Sequence, residues 1–283
     1  MKKTIAMLLA AVLCTASLTA CGSGSDTKSE SSAAQSSAAQ SSATEGTAAS
    51  NGEAQTLVVG TNAEFPPFEY LGDDGEPEGF DIALIKAIGE KLGMNVEVQN
   101  MEFDSLVAAI GSKIDVAIAG MTIDEERQKT VDFSDPYYDA VQYVIVSADS
   151  DMAAKGADAA MADLEGLTIG CQLGTTGNFI IEDDIANATA QTYNKAVDAV
   201  NDLINGKIDA VIIDKNPAEV FADKFAGQVV AIDGNQFGFS IEQYAIALPK
   251  NSELKDQINQ ALADLKADGT FDALVSEYIG SAE

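Results

Sequence analysis

The 283-residue chain contains no histidine. That excludes an imidazole general base and every histidine-ligated metal site. It has only three cysteines, Cys14, Cys21 and Cys171. The first falls in an N-terminal leader and the second at the leader's end, so a disulfide framework within the monomer and a cysteine zinc site are both excluded. Basic residues are scarce, 16 against 45 acidic ones, for a net charge of −29. Removing Lys2 and Lys3 with the leader takes this from −29 to −31. Such a surface disfavours nucleic acid and anionic membrane as partners and serves mainly for solubility. Long apolar runs are missing too: Ile5–Leu13 is too short to span a bilayer, and no other stretch approaches that length.

What is present at the N-terminus is a secretory signal peptide over residues 1–20: a positive start at Lys2 and Lys3, the apolar Ile5–Leu13, then small residues. Leu18-Thr19-Ala20-Cys21 resembles the bacterial lipobox, which implies cleavage before Cys21 and lipid attachment there. Residues 21–54, rich in Ser, Ala, Gln and Gly without apolar periodicity, read as a disordered tether. The expectation is a protein held outside the cytoplasm by a lipid and carrying no membrane-spanning segment.

Folded material begins with a strand at Leu57–Gly60. A proline-stiffened loop with exposed aromatics follows. Gly79-Phe80-Asp81 then introduces a helix whose Leu84, Ile85, Ile88 and Leu92 share a face and which Gly93 stops. Next come a strand at Val96–Gln99, a helix from Asp104 through Ile110, and a strand at Val116–Ala119. This βαβαβ order predicts a parallel sheet with its ligand at the strand C-termini. The order has an internal echo. Gly111-Ser112-Lys113-Ile114-Asp115 precedes one apolar strand and Gly206-Lys207-Ile208-Asp209 another, each after a helix. Two similar α/β lobes follow, 55–141 with 241–283 and 142–240. The chain crosses between them twice, so a two-strand hinge is expected.

Asp115–Arg127 carries the chemistry. The strand turns at Gly120, and Thr122-Ile123-Asp124-Glu125 reads as a capping box opening a helix, a place that favours an anion. Arg127 in the first turns opposes the helix dipole, so it is either a ligand anchor or a surface arginine paired with Glu125 or Glu126. On the second lobe, Gly174-Thr175-Thr176-Gly177 is another strand-to-helix turn. It lacks the Lys-Ser/Thr of a phosphate-binding loop. Asp214 ends the echoed strand and reads either as an ammonium partner or as the cap of the next helix. Arg127 with two helix starts suits a carboxylate, and Asp214 with exposed carbonyls suits an ammonium. Those are the two ends of an α-amino acid. Phe65 and Phe103 read as core or as packing for its side chain.

These motifs, in order, resemble the polar-amino-acid solute-binding proteins of bacterial ABC importers. The resemblance runs from Leu57 to Ile279 through Gly60-Thr61-Asn62-Ala63-Glu64-Phe65-Pro66-Pro67-Phe68-Glu69, Gly79-Phe80-Asp81, Ala119–Arg127, Asp132–Tyr138, Gly174–Gly177 and Ala267–Thr270. It implies a two-lobed type II periplasmic-binding-protein fold, each lobe a mostly parallel sheet flanked by helices. It also implies an L-amino-acid ligand, permease partners, membrane contact only through Cys21, a monomer, and no cofactor, metal or catalytic residue. Arg127 with the amides of Thr122 and Thr176 would hold the ligand carboxylate. Asp214, the Gly120 carbonyl and the Thr122 hydroxyl would hold its ammonium. Phe65 and Phe103 would flank its side chain, with Ala119 and Thr175 in the same wall. Asn62, Glu64 and Gln172 lie where the family sets selectivity, polar or basic, with Glu64 alternatively facing solvent or the other lobe. Two positions depart from the pattern. Ala83 stands where a second acid is common, and Asn62 replaces an aspartate frequent in the basic-amino-acid and glutamine binders, which removes one ligand-facing charge. The same fold also hosts dehydratases of prephenate or arogenate type, for which Glu64 or Asp214 would be the proton donor, and ligand-sensing modules.

Overall fold

The computed structural model describes residues 54–280. The expected signal peptide, the expected lipid attachment at Cys21 and the expected tether as far as residue 53 lie outside the described residues, as do residues 281–283.

Two five-stranded sheets share one plan. In the first, Thr56–Thr61 lies between Asn95–Asn100 and Val116–Ala117, all parallel. Ala247–Pro249 then runs antiparallel between Val116–Ala117 and Val131–Phe133. In the second, Thr168–Gln172 lies between Thr189–Tyr193 and Ala210–Asp214, again parallel. Gln142–Ser147 is inserted antiparallel before Val229–Asp233. Helices flank both sheets. Among the described residues no helix is long and apolar enough to cross a membrane.

The sequence echo has a physical cause. Asp115 Oδ2 accepts the Val58 amide at 2.8 Å, and Asp209 Oδ2 accepts the Thr168 amide at 2.8 Å. Each aspartate thus ties the start of its own strand to the start of the parallel strand beside it. The isoleucine before it packs over a glycine of that neighbouring strand. A Cβ on Gly60 would sit 2.4 Å from Ile114 Cδ1, and one on Gly170 would sit 2.6 Å from Ile208 Cδ1. The glycines are therefore steric requirements of the motif.

The helix Phe80–Leu92 buries Leu84, Ile85 and Ile88 and ends at Gly93 in the left-handed conformation, φ 66°. Three such side chains contribute roughly 1.5–3 kcal/mol each in apolar burial. The helix expected from Asp104 through Ile110 is shorter. A 3₁₀ turn at Phe103–Ser105 leads into Leu106–Ala109 only, because Ile110 turns extended to meet Ile114 in an isolated bridge.

Between the sheets, Tyr138–Ala140 pairs antiparallel with Glu242–Tyr244. Beneath this pair lies an aromatic cluster in which Phe68 meets Tyr138 at 5.0 Å and Tyr244 at 5.3 Å, ring centroid to centroid. Such edge-on pairs add about 0.5–1.5 kcal/mol beyond burial and stiffen the base of the cleft.

Candidate functional site

A small cavity of about 20 Å³ sits between the lobes. Asn62, Phe65, Phe103, Ala119, Gly120, Thr122 and Arg127 line it from the first lobe. Gln172, Thr175, Thr176 and Asp214 line it from the second. The structure therefore brings together eleven of the twelve residues singled out from the sequence. The twelfth, Glu64, is elsewhere: Lys195 Nζ of the opposite lobe donates to its Oε1 at 2.5 Å, at the edge of a wider, open groove.

Arg127 is 7% exposed. Its Nη1 donates to the Thr122 carbonyl at 2.6 Å and its Nη2 to the Gly174 carbonyl of the other lobe at 2.9 Å. Nε lies 3.0 Å from Asp124 Oδ2, so the ion-pair partner is Asp124 rather than Glu125 or Glu126. The guanidinium also faces the rings of Phe103 at 5.4 Å and Phe179 at 6.0 Å, which hold its plane. Burial lowers its pKa, with Asp124, Glu242 and Asp214 opposing. An arginine stays charged under such a shift.

The capping box does not form. The helix begins at Glu125, and its cap is Asp124, whose Oδ1 accepts the Arg127 amide at 2.8 Å. Hinge pairing delays the start: Thr122 bridges Tyr244, and the Ile123 amide donates to the Gln243 carbonyl at 2.9 Å. Gly120 is consequently a left-handed bend, φ 51°, and Thr122 a bridged strand residue, and neither is a helix N-terminus. The Gly120 amide is already spent on Asp81 Oδ2 at 2.7 Å. The positive charge on this lobe's side of the cavity is the Arg127 guanidinium, with no helix N-terminus beside it.

On the second lobe, Thr175 caps the helix Thr176–Asp183. Asp214 stands at the cap position of Lys215–Lys224, but its side chain makes no capping bond. The carboxyl turns instead into the cavity wall near Tyr244, Gln142 and Arg127, and burial pushes it up to about 6. Gln172 Nε2 donates to Asn62 Oδ1 and to the Asn194 carbonyl, each at 2.8 Å, and Asn62 Nδ2 donates to the Met101 carbonyl at 2.8 Å.

Two buried acids and one half-buried acid escaped the sequence reading. Glu69 lines the cavity and is wholly buried. Asp81, also wholly buried, accepts from Gly120 and, at 2.8 Å, from the Tyr137 hydroxyl. Glu242 on the hinge strand accepts from Thr122 Oγ1 at 3.2 Å and from Gln142 Nε2 at 3.3 Å. Burial, then the neighbouring Asp214, pushes Glu242 up to about 7. The one available signal was a lone acid inside an aromatic run, Phe68-Glu69-Tyr70.

A two-lobed α/β shell with charged groups of opposite sign on facing lobes defines a ligand-capture protein. The chain matches the model of the bacterial extracellular solute-binding proteins, family 3, over residues 57–281, and belongs to that family. The arginine-binding extracellular protein ArtP of Bacillus subtilis (strain 168) is 34% identical to it over 289 residues, covering 98% of each chain. The L-cystine-binding protein TcyJ of Escherichia coli (strain K12) is 32% identical over 231 residues, 81% of this chain and 84% of its own. Among solved structures, an ancestral arginine-binding protein bound to glutamine aligns with a TM-score of 0.74 at 40% identity, over 81% of this chain and all of that one, 100%. The fold is the type II periplasmic-binding-protein arrangement.

Proposed function

We propose that this protein captures an L-amino acid outside the cytoplasm by closing its lobes around it, and presents it to an ABC importer. The observation that supports this most is that Arg127 and Asp214 come from facing lobes and line one enclosed cavity. In this reading Arg127, with the amides of Thr122 and Thr176, takes the carboxylate. Asp214, the Gly120 carbonyl and the Thr122 hydroxyl take the ammonium. A ligand shifts the open–closed equilibrium only through contacts it makes better in the closed state, and charges split between lobes meet that condition. The lobes are taken as 55–141 with 241–283 and 142–240, and the protein as a monomer anchored through lipid on Cys21.

The protein is read as a binder without turnover. Of the two acids an arogenate dehydratase would need to choose from, Glu64 is paired with Lys195 outside the cavity. Incubation with arogenate should leave it unchanged. The primary test is a thermal-shift screen over the twenty amino acids with cystine and ornithine, followed by calorimetry. A cognate ligand at a thousand times its Kd raises stability by about 4 kcal/mol. No shift with any amino acid would sink the reading.

A further inference from the structure

Among the described residues, Glu69 is the only side chain with both carboxyl oxygens buried and without a hydrogen-bond partner. It follows Phe68 on the short strand Glu69–Leu71, is 0% exposed, and lines the cavity. The charged and titratable groups around it come from every neighbouring element. They are Asp81 of the helix Phe80–Leu92, Asp214 at the end of its strand, Tyr137 before the hinge, and Tyr244 on it. None is a cation. The buried cation of the cavity, Arg127, is held by Asp124 and two backbone carbonyls.

A bare carboxylate in that company has neither solvent nor counter-ion, and a proton is the cheapest remedy. Asp81 Oδ1 is likewise buried and unpartnered. A single proton on Glu69, directed at Asp81 Oδ1, gives each residue a partner while Asp81 Oδ2 keeps its bonds from Gly120 and Tyr137. Burial and the Asp81 charge hold the Glu69 pKa well above its ordinary value.

The amino-acid reading, on which this inference rests, matches Arg127 to the ligand carboxylate and Asp214 to its ammonium. Glu69 is then left over as a third charge site. It supplies the side-chain charge that Asn62 does not, since the Asn62 amide is engaged with Met101 and Gln172. We propose that the ligand-free site holds a proton on Glu69 and that an amino acid with a cationic side chain displaces it, so that basic ligands enter in exchange for a proton. The cation takes up the Glu69 carboxylate, the proton leaves to solvent, and the charge of the closed cavity is unchanged. A neutral side chain leaves the proton where it is.

The test compares L-arginine with L-citrulline, its uncharged isostere, and with L-glutamine, by calorimetry in two buffers of different ionisation enthalpy near neutral pH. The wild-type protein should release about one more proton with arginine than with either neutral ligand. Its arginine affinity should rise with pH relative to theirs, by up to about tenfold per unit. Protons displaced from Asp81 or Asp214 by the shared α-ammonium are common to all three ligands and cancel. Glu69→Gln should weaken arginine by about 30-fold or more, leave glutamine within a few-fold, and abolish the difference in proton release. Equal proton counts in the wild-type protein overturn the proposal, whether or not the variant folds. So does full arginine affinity in Glu69→Gln, or a wild-type protein that binds glutamine and not arginine. If no amino acid binds at all, it is the amino-acid reading itself that fails.

Discussion

Gln172 and Asn62 face each other across the cleft, amide to amide, with Gln172 Nε2 donating to Asn62 Oδ1 at 2.8 Å. Both are nearly free of solvent, at 5% and 3% exposure. A buried hydrogen bond between lobes favours the closed form by about 0.5–1.5 kcal/mol. Gln172→Ala should therefore enlarge the radius of gyration of the ligand-free protein in small-angle scattering and weaken ligand binding by roughly 3- to 10-fold. An unchanged scattering profile and affinity would remove the bridge from the closure mechanism.

In the proposed site, Arg127→Ala and Asp214→Ala each remove one partner of a buried charge pair with the ligand. Such losses cost on the order of 2–5 kcal/mol, which is roughly 30- to several-thousand-fold in affinity. Calorimetry with the best amino acid from the screen measures this directly. Near wild-type affinity in either variant would reassign that end of the cavity.

The Lys195–Glu64 pair also links the lobes, but it is half open to water, with side chains 47% and 20% exposed. Exposed pairs contribute about 0–1 kcal/mol and are screened by salt. Lys195→Ala should change affinity by less than about fivefold, and the difference should vanish in high salt. A large, salt-insensitive loss would show that Glu64 bears on the ligand after all.

Buried acids set the pH dependence of the ligand-free protein. Asp214 and Glu242 are pushed up to about 6 and about 7 from 3.8 and 4.5, chiefly by burial. The folded state thus holds these protons more tightly than the unfolded chain. Their stabilisation is complete below the ordinary values and is lost as pH rises through the raised ones. Asp132 and Asp202 are shifted down by hydrogen bonds from Asn251 and Lys207, and they act oppositely as pH falls below 3.8. The melting temperature should therefore fall from about pH 5 to about pH 8, and fall again in strong acid. Scanning fluorimetry across that range checks it, and a Tm that climbs from pH 5 to 8 would contradict it.

Gly120 has φ 51°, and a Cβ there would lie 3.0 Å from Phe65 Cε1. Gly120→Ala imposes a left-handed alanine, at about 1–2 kcal/mol, and pushes an aromatic ring into the cavity. The expected result is a Tm lower by a few degrees together with weaker ligand binding. Loss of stability with affinity intact would mean that Phe65 yields away from the cavity.

Much of this was legible in the sequence because it rests on local rules. Glycine stops, apolar periodicity and the Lys-Ile-Asp echo all report short-range geometry, and they located both lobes' strand ends. Thr175 and Asp214 sit at those ends, and Arg127 lies in the short helix that follows one of them. Thr122 was misread because strand pairing with Tyr244, more than a hundred residues away, outweighed a local capping pattern. Glu64 was left open between the cavity wall and a position facing solvent or the other lobe, because the partner that decides it, Lys195, is 131 residues distant. Glu69, Asp81 and Glu242 were overlooked for a related reason. No spacing rule marks a carboxyl that the whole fold conspires to bury.

The placement of Ala247–Pro249 between Val116–Ala117 and Val131–Phe133 sets the order in which the molecule can be built. A chain emerging from its N-terminus can complete the second sheet by Asp233, since all five of that sheet's strands lie between Gln142 and Asp233. The first sheet must wait with a gap between Val116–Ala117 and Val131–Phe133, each with one edge unpaired. Chains truncated before residue 247 should therefore carry one finished lobe and one that is open to aggregation and proteolysis.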